Sequence, residues 1–261
     1  MEPPTYLAEK NTHPRDEFIT FDEGPHIYTV HGDSSFTSCT TWVHSHFEHF
    51  DAEATVAKIL VSRKRNDPNY KYYNMTREEI LAMWDAKRDA ASAAGTKMHY
   101  DIECYYNELE VTNDSVEFNY FKNFVKDFPE LKAYRTEWMV YYEELKLSGS
   151  IDMVFELPDG TLQIYDWKRC EEIVHEPYFA KFMTTDCVKH LPDSNFWHYS
   201  LQLNIYRGII ERKYGKKISG LYLVCLHPNN MYKTYDRIEV PFLDKEIEDL
   251  FALRATQVAG P

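Results

Sequence analysis

The sequence contains no long apolar run. No stretch approaches the ~18–20 apolar residues that a membrane-spanning helix needs. The N-terminal segment MEPPTYLAEKNTHPRDE also lacks the apolar stretch of a signal peptide. We therefore expect an intracellular protein of the cytoplasm or nucleus, of cellular, viral or phage origin, without membrane contact.

Cysteine is scarce and irregularly placed. The five cysteines, Cys39, Cys104, Cys170, Cys187 and Cys225, are odd in number and far apart, and no CxxC pair occurs. This usage argues against a zinc site and against a disulfide framework. Free thiols are the expectation.

Positive charge is in deficit. Lys and Arg number 29 against 42 Asp and Glu, which gives a net charge of −13. The balance argues against binding nucleic acid through bulk charge, although it leaves room for a local basic groove. Residues 58–72 are a basic segment that offers such a groove, and a merely solvated face is the alternative. Its basic residues are Lys58, Arg63, Lys64, Arg65 and Lys71.

The N-terminal half predicts mainly helices. Residues 1–20 predict a loose arm, and the alternation in 26–30 predicts a short strand. Three helices are expected to follow: one capped by Ser38 or Thr40, one that begins at the capping box Thr76-x-x-Glu79 and continues to about Glu108, and one from Asp114 to Pro129.

The C-terminal half changes to strands. The patterns predict strands over 132–142, 146–157, 161–168, 219–226 and 232–240, with helices over 196–213 and 243–256. The fold class is therefore α/β (α+β), with a central mixed β-sheet flanked by helices and a mainly helical N-terminal region. We expect residues 1–75 and 76–261 as its two parts, packed as one compact unit.

One predicted hairpin places charges together. Pro158-Asp159-Gly160 is a turn, and pairing Leu157 with Thr161 sets Asp152 opposite Asp166. Because strand side chains alternate, Lys168 shares their face. The opposite face is predicted to be an apolar layer of Ile151, Met153, Phe155, Leu157, Tyr165 and Trp167.

Two facing carboxylates repel each other, so a nearby positive charge is expected to offset the repulsion. A hard divalent cation such as Mg²⁺ or Mn²⁺ is one candidate for that charge. A solvated hairpin in which Lys168 neutralises one aspartate is the alternative. Val154, Leu162 and Ile164 share the acidic face, so a covered metal site is favoured over a wet surface.

Four short motifs then resemble one family. Residues 149–152 (GSID) and 166–168 (DWK) resemble the G-x-[IV]-D … D-x-K signature of the PD-(D/E)XK nucleases. Residues 95–99 (GTKMH) are similar to the G-T-x-x-H segment of the RecB-like, lambda-type exonuclease branch, and residues 202–206 (QLNIY) to its Q-x-x-x-Y helix. The resemblance implies a restriction-endonuclease-like core.

The resemblance also implies roles for single residues. The implied catalytic residues are Asp152, Asp166, Lys168, Gln202 and Tyr206. The implied ligands of one or two Mg²⁺ or Mn²⁺ ions are His99, Asp152, Asp166 and the Trp167 backbone carbonyl, with Glu103 or Glu137 as a further candidate. The candidate nucleic-acid contacts are Thr96 and Tyr206, together with Arg63, Lys64 and Arg65 of the basic segment, which the resemblance does not reach. The cysteine spacing does not match the iron–sulfur cluster of some relatives, so no cluster is expected.

The function implied is that of a metal-dependent DNA exonuclease acting in replication, recombination or repair. DNA, as single strands or duplex ends, is the expected partner, and the oligomeric state stays open. A cap-snatching-like endonuclease acting on RNA or DNA is one alternative. A non-catalytic nucleic-acid-binding protein on a nuclease fold is the other.

Overall fold

The structure, a computed structural model, describes residues 3–177 and 179–260. Its α-helices are α1 (Tyr6–Lys10), α2 (Cys39–His44), α3 (Ala52–Val61), α4 (Arg77–Tyr106), α5 (Val116–Asp127), α6 (Asn195–Lys213) and α7 (Asp244–Ala259). Short 3-10 helices cover Asp16–Phe18, Arg63–Asn66 and Glu143–Leu145. No helix in this part of the chain is long and apolar enough to cross a membrane.

Among the described residues, eight strands form two sheets. The strands are β1 (Ile19–Asp22), β2 (Ile27–Val30), β3 (Thr37–Ser38), β4 (Lys132–Tyr142), β5 (Leu147–Glu156), β6 (Leu162–Lys168), β7 (Ile218–Cys225) and β8 (Asp236–Glu239). β1 and β2 pair as an antiparallel ribbon. In the six-stranded sheet β4, β5 and β6 are antiparallel, β6 and β7 are parallel, and β8 is antiparallel to β7. The predicted class, α/β with a central mixed sheet flanked by helices, is confirmed.

The chain divides into two compact units. The first contains the described residues of Met1–Glu48 and Met98–Pro261, and the second is His49–Lys97. The sequence analysis placed its division at residue 75, and that division stays a prediction. The six-stranded sheet lies wholly within the first unit.

Apolar side chains cover both faces of this sheet in the first unit. One buried cluster joins Val154, Ile164 and Leu223 of the sheet to α6 and α7. A second cluster joins Met153, Phe155, Tyr165 and Trp167 to α5 and to Met98 and Ile102 of α4. Because side chains alternate along a strand, neighbouring residues of β5 and β6 supply opposite layers.

The N-terminal arm is not loose, contrary to expectation. Leu7 is buried, and the Arg15 guanidinium donates to the Tyr141 carbonyl at 3.0 Å. Arg135 forms a partly buried ion pair with Asp16 at 2.6 Å. The proline content suggested a free segment, but these tertiary contacts to β4 hold the arm, and β1 forms where no strand was predicted.

Most element predictions are confirmed. β4 matches its predicted limits, and β5, β6, β7 and α6 fall within one residue of theirs. Both hydrogen bonds of the capping box at the start of α4 are present: the Thr76 amide donates to Glu79 at 2.7 Å, and the Glu79 amide to Thr76 Oγ1 at 3.2 Å. β8 is shorter than predicted, and α3 was not predicted.

The hairpin register is confirmed, with one correction. Met153 pairs with Tyr165 and Val154 with Ile164, as the turn at 158–160 requires. Ile151 was predicted in the layer of Met153, but it packs in the α6 layer with its partner Trp138. The cause lies in β4, where Glu137 has a φ of 41°. This left-handed residue breaks the alternation of sides between Thr136 and Trp138.

In the second unit, His49–Lys97, the side chains of Val56 and Ile80 are fully buried. The Arg77 guanidinium pairs with Glu53, which links the start of α4 to α3. The Trp84 indole donates to the Tyr72 hydroxyl at 3.1 Å. The basic segment 58–72 lies in this unit and contributes both α3 residues and the 3-10 helix Arg63–Asn66.

Candidate metal and active site

One edge of β5 has a gap in its strand pairing at the candidate site, while the other edge stays paired with β4. β5 pairs with β3 only as far as Ser148, and its ladder with β6 begins at Met153. Gly149–Asp152 lie between these two ladders and correspond to the GSID motif. Asp152 thus lies one residue before the first pair of the β5–β6 ladder, where its side chain is available for other contacts.

Three side chains from three elements converge at this gap. His99 comes from α4, Glu137 from β4 and Asp152 from β5. His99 Nδ1 lies 3.5 Å from Asp152 Oδ2 and 3.8 Å from Glu137 Oε1. One ligand atom of each residue lies within 4.8 Å of the other two. A nitrogen and two carboxylate oxygens at this spacing can hold a divalent cation.

Glu137 reaches this cluster through an unusual backbone conformation. Its φ of 41° is in the left-handed region, which costs a non-glycine residue about 1–3 kcal/mol. The long ladder between β4 and β5 on either side holds the conformation in place. The Ser150 hydroxyl donates to Glu137 Oε2 at 2.8 Å, which fixes the carboxylate. The sequence named Glu137 as a candidate ligand, and the structure brings it into the cluster.

The proton on His99 is held by its neighbours. Burial lowers the pKa of His99, but the carboxylates of Asp152 and Glu137 outweigh that effect and raise it to about 9. Without a metal the imidazole is therefore a cation at neutral pH, positioned between two acids. A metal ion that binds there must displace this proton.

Asp152 is held by the neighbouring strand. Its Oδ2 accepts the Trp167 backbone amide at 3.0 Å, so the side chain continues the pairing where the ladder ends. Burial raises the pKa of Asp152, and the charge of Glu137 adds to this while His99 opposes it. Trp167, expected to offer its carbonyl to the metal, thus contacts the cluster through its amide.

Asp166 and Lys168 form a buried ion pair beside the cluster. Lys168 Nζ lies 2.6 Å from Asp166 Oδ2, and the two side chains are 17% and 3% exposed. Burial alone would lower the pKa of Lys168, but the charges of Asp166 and Asp152 hold it above its usual value. Burial raises the pKa of Asp166 despite that lysine. Lys168 is therefore a fixed ammonium group.

The Q-x-x-x-Y residues lie on α6 against the same gap. Tyr206 is 2% exposed, and its ring lies where a Cβ on Gly149 would come within 2.8 Å of it. Only glycine leaves room for that ring at position 149. Gln202 is 9% exposed, and its hydrogen bond to Tyr206 opposes the effect of burial, which raises the tyrosine's pKa.

Glu103 lies one turn along α4 from His99. Burial raises the pKa of Glu103 to about 7, and the charge of Glu137 adds to the increase while His99 opposes it. The carboxyl is therefore close to the cluster without belonging to the group of three converging ligands. Its predicted role as a further ligand stays a prediction.

The predicted nucleic-acid contacts other than Tyr206 lie in the second unit. Arg63 and Lys64 are exposed, whereas the Arg65 guanidinium donates to the Met75 carbonyl at 2.7 Å. Thr96 is an exposed residue of α4. Arg65 thus has a structural contact, and the binding roles of all four residues stay predictions.

Two residues near the site were missed by the sequence analysis. The Tyr199 ring centroid lies 4.3 Å from Lys168 Nζ, a cation–π contact. The buried Tyr28 hydroxyl interacts with the Ser150 backbone, and burial raises its pKa. Tyr199 lies three residues before Gln202 on the same helix, and this spacing was a usable signal. No local pattern indicated that Tyr28 would reach Ser150.

The comparisons with known proteins add little to this geometry. No family model matches the chain, and no curated protein matches it. Among solved structures it is similar to a crystal structure from Eubacterium rectale named "Putative exonuclease". The two are 15% identical, with a TM-score of 0.31, over 57% of this chain and 67% of the other. Likeness at this level says nothing about chemistry.

Proposed function

We propose that this protein is a metal-dependent nuclease of the PD-(D/E)XK type, and within that class a RecB-like DNA exonuclease. The observation that carries the proposal is the convergence of His99, Glu137 and Asp152 next to the buried Asp166–Lys168 pair. A cluster of acids with a fixed ammonium group beside it suits phosphodiester hydrolysis, where negative charge increases on the phosphate.

The donor set fits a hard or borderline cation. Two carboxylates suit Mg²⁺ and Mn²⁺, and the imidazole of His99 shifts the preference toward Mn²⁺. His99, Glu137 and Asp152 would hold the ion, and Asp166 and the Trp167 carbonyl are the further ligands that the family resemblance implies. Such an ion supplies electrophilic stabilisation of the phosphate.

Lys168 acts in this proposal as a charged orienting group. Its raised pKa keeps it protonated, so it donates hydrogen bonds to the attacking water and to a phosphate oxygen instead of removing a proton. Asp166 holds the ammonium group at 2.6 Å, and the Tyr199 ring covers it. Both contacts reduce the reorganisation needed during reaction.

Gln202 and Tyr206 act as positioning residues. The Tyr206 ring against Gly149 fixes the distance between α6 and the start of the GSID segment. We assign Arg63, Lys64, Arg65 and Thr96 to contacts with DNA ends. The Q-x-x-x-Y resemblance favours the exonuclease branch over a cap-snatching-like endonuclease.

The test is degradation of 5′- and 3′-labelled linear single- and double-stranded DNA, a covalently closed circle and RNA, each with Mg²⁺, Mn²⁺ or EDTA. We expect metal-dependent loss of linear DNA with the circle spared, and the position of the surviving label gives the polarity. Asp166→Asn should abolish this activity. Asp186→Asn, at a 97% exposed side chain, is the matched control and should retain it.

Other outcomes assign other functions. Cleavage of the circle or of RNA would overturn the exonuclease proposal in favour of the endonuclease. Binding of DNA without cleavage in any metal would overturn the enzyme proposal in favour of a non-catalytic binding protein. Activity that survives Asp166→Asn would exclude the assigned site.

A further inference from the structure

Two cysteines meet at the end of the sheet next to Lys168. Cys170 Sγ lies 3.8 Å from Cys225 Sγ, and the Cys225 thiol also donates to the Cys170 carbonyl at 2.7 Å. Cys225 is the last residue of β7 and pairs with Lys168 in the parallel ladder. Cys170 follows Lys168 by two residues. The pair is separated by 55 positions in sequence, so only the fold brings it together.

A bond between these sulfurs needs only a small movement. A disulfide joins its sulfurs at about 2.05 Å, so the two atoms must approach by roughly 1.8 Å. Cys225 is 1% exposed and fixed within β7. Cys170 lies beyond the end of β6, and the described residues between it and the start of α6 at Asn195 form no regular helix or strand. Rotation of the Cys170 side chain can therefore close the distance.

We propose that Cys170 and Cys225 form a reversible intramolecular disulfide when the protein meets hydrogen peroxide. The Cys170 thiolate attacks one peroxide oxygen, the O–O bond breaks, and Cys170 sulfenic acid and one water form after a proton is taken up. Cys225 sulfur then attacks the Cys170 sulfur, its proton leaves with the hydroxyl group as a second water, and the S–S bond forms. Two thiols are oxidised and one peroxide is reduced.

The surroundings select Cys170 as the attacking thiol. The hydrogen bond with Cys225 lowers the pKa of Cys170 against the opposing effect of burial, and the charge of Lys168 lowers it further. Cys170 is half-buried and reachable, whereas Cys39 and Cys104 are buried. Burial raises the pKa of Cys39, Cys104 and Cys187, which makes these thiols poorer nucleophiles.

The bond would also constrain the site. It ties the segment that follows Lys168 to the end of β7, whose next residue, Leu226, already donates its amide to the Lys168 carbonyl at 2.8 Å. The thiol pair is thus a modification site that adjoins the Asp166–Lys168 pair while sharing none of its side chains. Its formation does not depend on the proposed nuclease activity.

The experiment maps the linkage chemically in the full chain. Folded protein is treated with a low concentration of hydrogen peroxide, quenched with N-ethylmaleimide and digested with trypsin without reduction. Cleavage after Arg169, Lys181, Lys217 and Lys233 gives peptides 170–181 and 218–233, which carry one cysteine each. We expect these two peptides linked, lighter by two hydrogens, and separated again by dithiothreitol, while the other three cysteines stay alkylated.

Two variants and a urea-denatured sample test whether the fold directs the Cys170–Cys225 link. In Cys225→Ser, Cys170 should be trapped as sulfenic or sulfinic acid, and in the control Cys104→Ser the link should form as in the unaltered chain. Alkylation of both Cys170 and Cys225 after peroxide treatment would overturn the proposal. A link that forms only in urea, or with Cys187 as readily as with Cys225, would also overturn it.

Discussion

Similar ion pairs lie in opposite surroundings at the two ends of the β5–β6 hairpin. Near the turn, Lys132 of β4 pairs with Glu156 of β5 at 2.5 Å, and the side chains are 66% and 28% exposed. At the other end, Lys168 and Asp166 pair at 2.6 Å with side chains 17% and 3% exposed. Near the turn water can solvate both charges, whereas at the site the protein replaces most of that water.

Both pairs join a lysine to a carboxylate, so residue types alone do not show which pair belongs to a functional site. An exposed pair contributes about 0–1 kcal/mol and leaves its charges close to their behaviour in water. A buried pair loses solvation and depends on its neighbours, which here include Asp152 and His99. A fold tolerates closely spaced buried charges where a ligand binds to them. This favours a function at the site end of the hairpin.

The largest expected contrast is in catalysis. Lys168→Met should lower nuclease activity by about 10²–10³-fold, because it removes one fixed donor to the phosphate and water. Lys132→Met, the matched change at the turn end, should stay within about twofold, because its charge is solvated. Initial rates on linear DNA in Mn²⁺ measure both. Equal losses in the two variants would contradict the assigned role of Lys168.

The second expected contrast between the two ends of the hairpin is in metal affinity. Asp152→Asn should weaken Mn²⁺ binding by at least about 10–100-fold, the range for groups that only orient ligands. Glu156→Gln should leave it unchanged. Titration calorimetry or the Mn²⁺ electron paramagnetic resonance signal reports binding without any activity assay. Unchanged affinity in Asp152→Asn would exclude the His99–Glu137–Asp152 cluster as the metal site.

Packing at the site end predicts a stability effect. Gly149→Ala should lower the free energy of unfolding by about 1–3 kcal/mol, because the new Cβ would lie 2.8 Å from the Tyr206 ring. Gly95→Ala is the control: outside the adjoining helix backbone nothing lies within 4 Å of the added Cβ, so the helix should gain up to about 1 kcal/mol. Urea unfolding measures both variants. A neutral Gly149→Ala would show that α6 and β5 can move apart.

The pH dependence of metal binding follows from His99. Because its metal-free pKa is raised to about 9, the imidazole is protonated at neutral pH and must lose that proton to bind a metal. The apparent Mn²⁺ affinity should therefore rise by up to about tenfold per pH unit between pH 6.5 and 8. His99→Asn should flatten this dependence. A slope that persists in this variant would assign the released proton to another group.

The smallest effect belongs to the turn end. The coupling energy between Lys132 and Glu156 should not exceed about 1 kcal/mol and should fall with added salt. A double-mutant cycle with Lys132→Met and Glu156→Gln measures it. Strong, salt-independent coupling would remove the contrast between the two ends.

The sequence was most informative where local rules act. The turn at 158–160 and the two-residue strand period fixed the register that places Asp152 and Asp166 at one end of the hairpin. Reciprocal capping by Thr76 and Glu79 located the start of α4. These features depend on residues close together in the chain, so one sequence suffices to predict them.

Long-range contacts account for what the sequence did not indicate. The positive φ of Glu137 follows no residue preference and is held only by pairing with β5. The approach of Tyr28 to Ser150 and the anchoring of Arg15 on Tyr141 join residues more than 100 positions apart. Propensity and spacing carry no information about such partners, which only tertiary packing selects.

The contact of Tyr206 with Gly149 has an evolutionary consequence. Any larger residue at position 149 collides with the tyrosine ring, so a single substitution there is penalised while Tyr206 remains. A smaller side chain at position 206 would leave a void unless position 149 grew to fill it. The two positions can therefore change together more easily than either can alone, and among homologous sequences we expect them to vary as a pair.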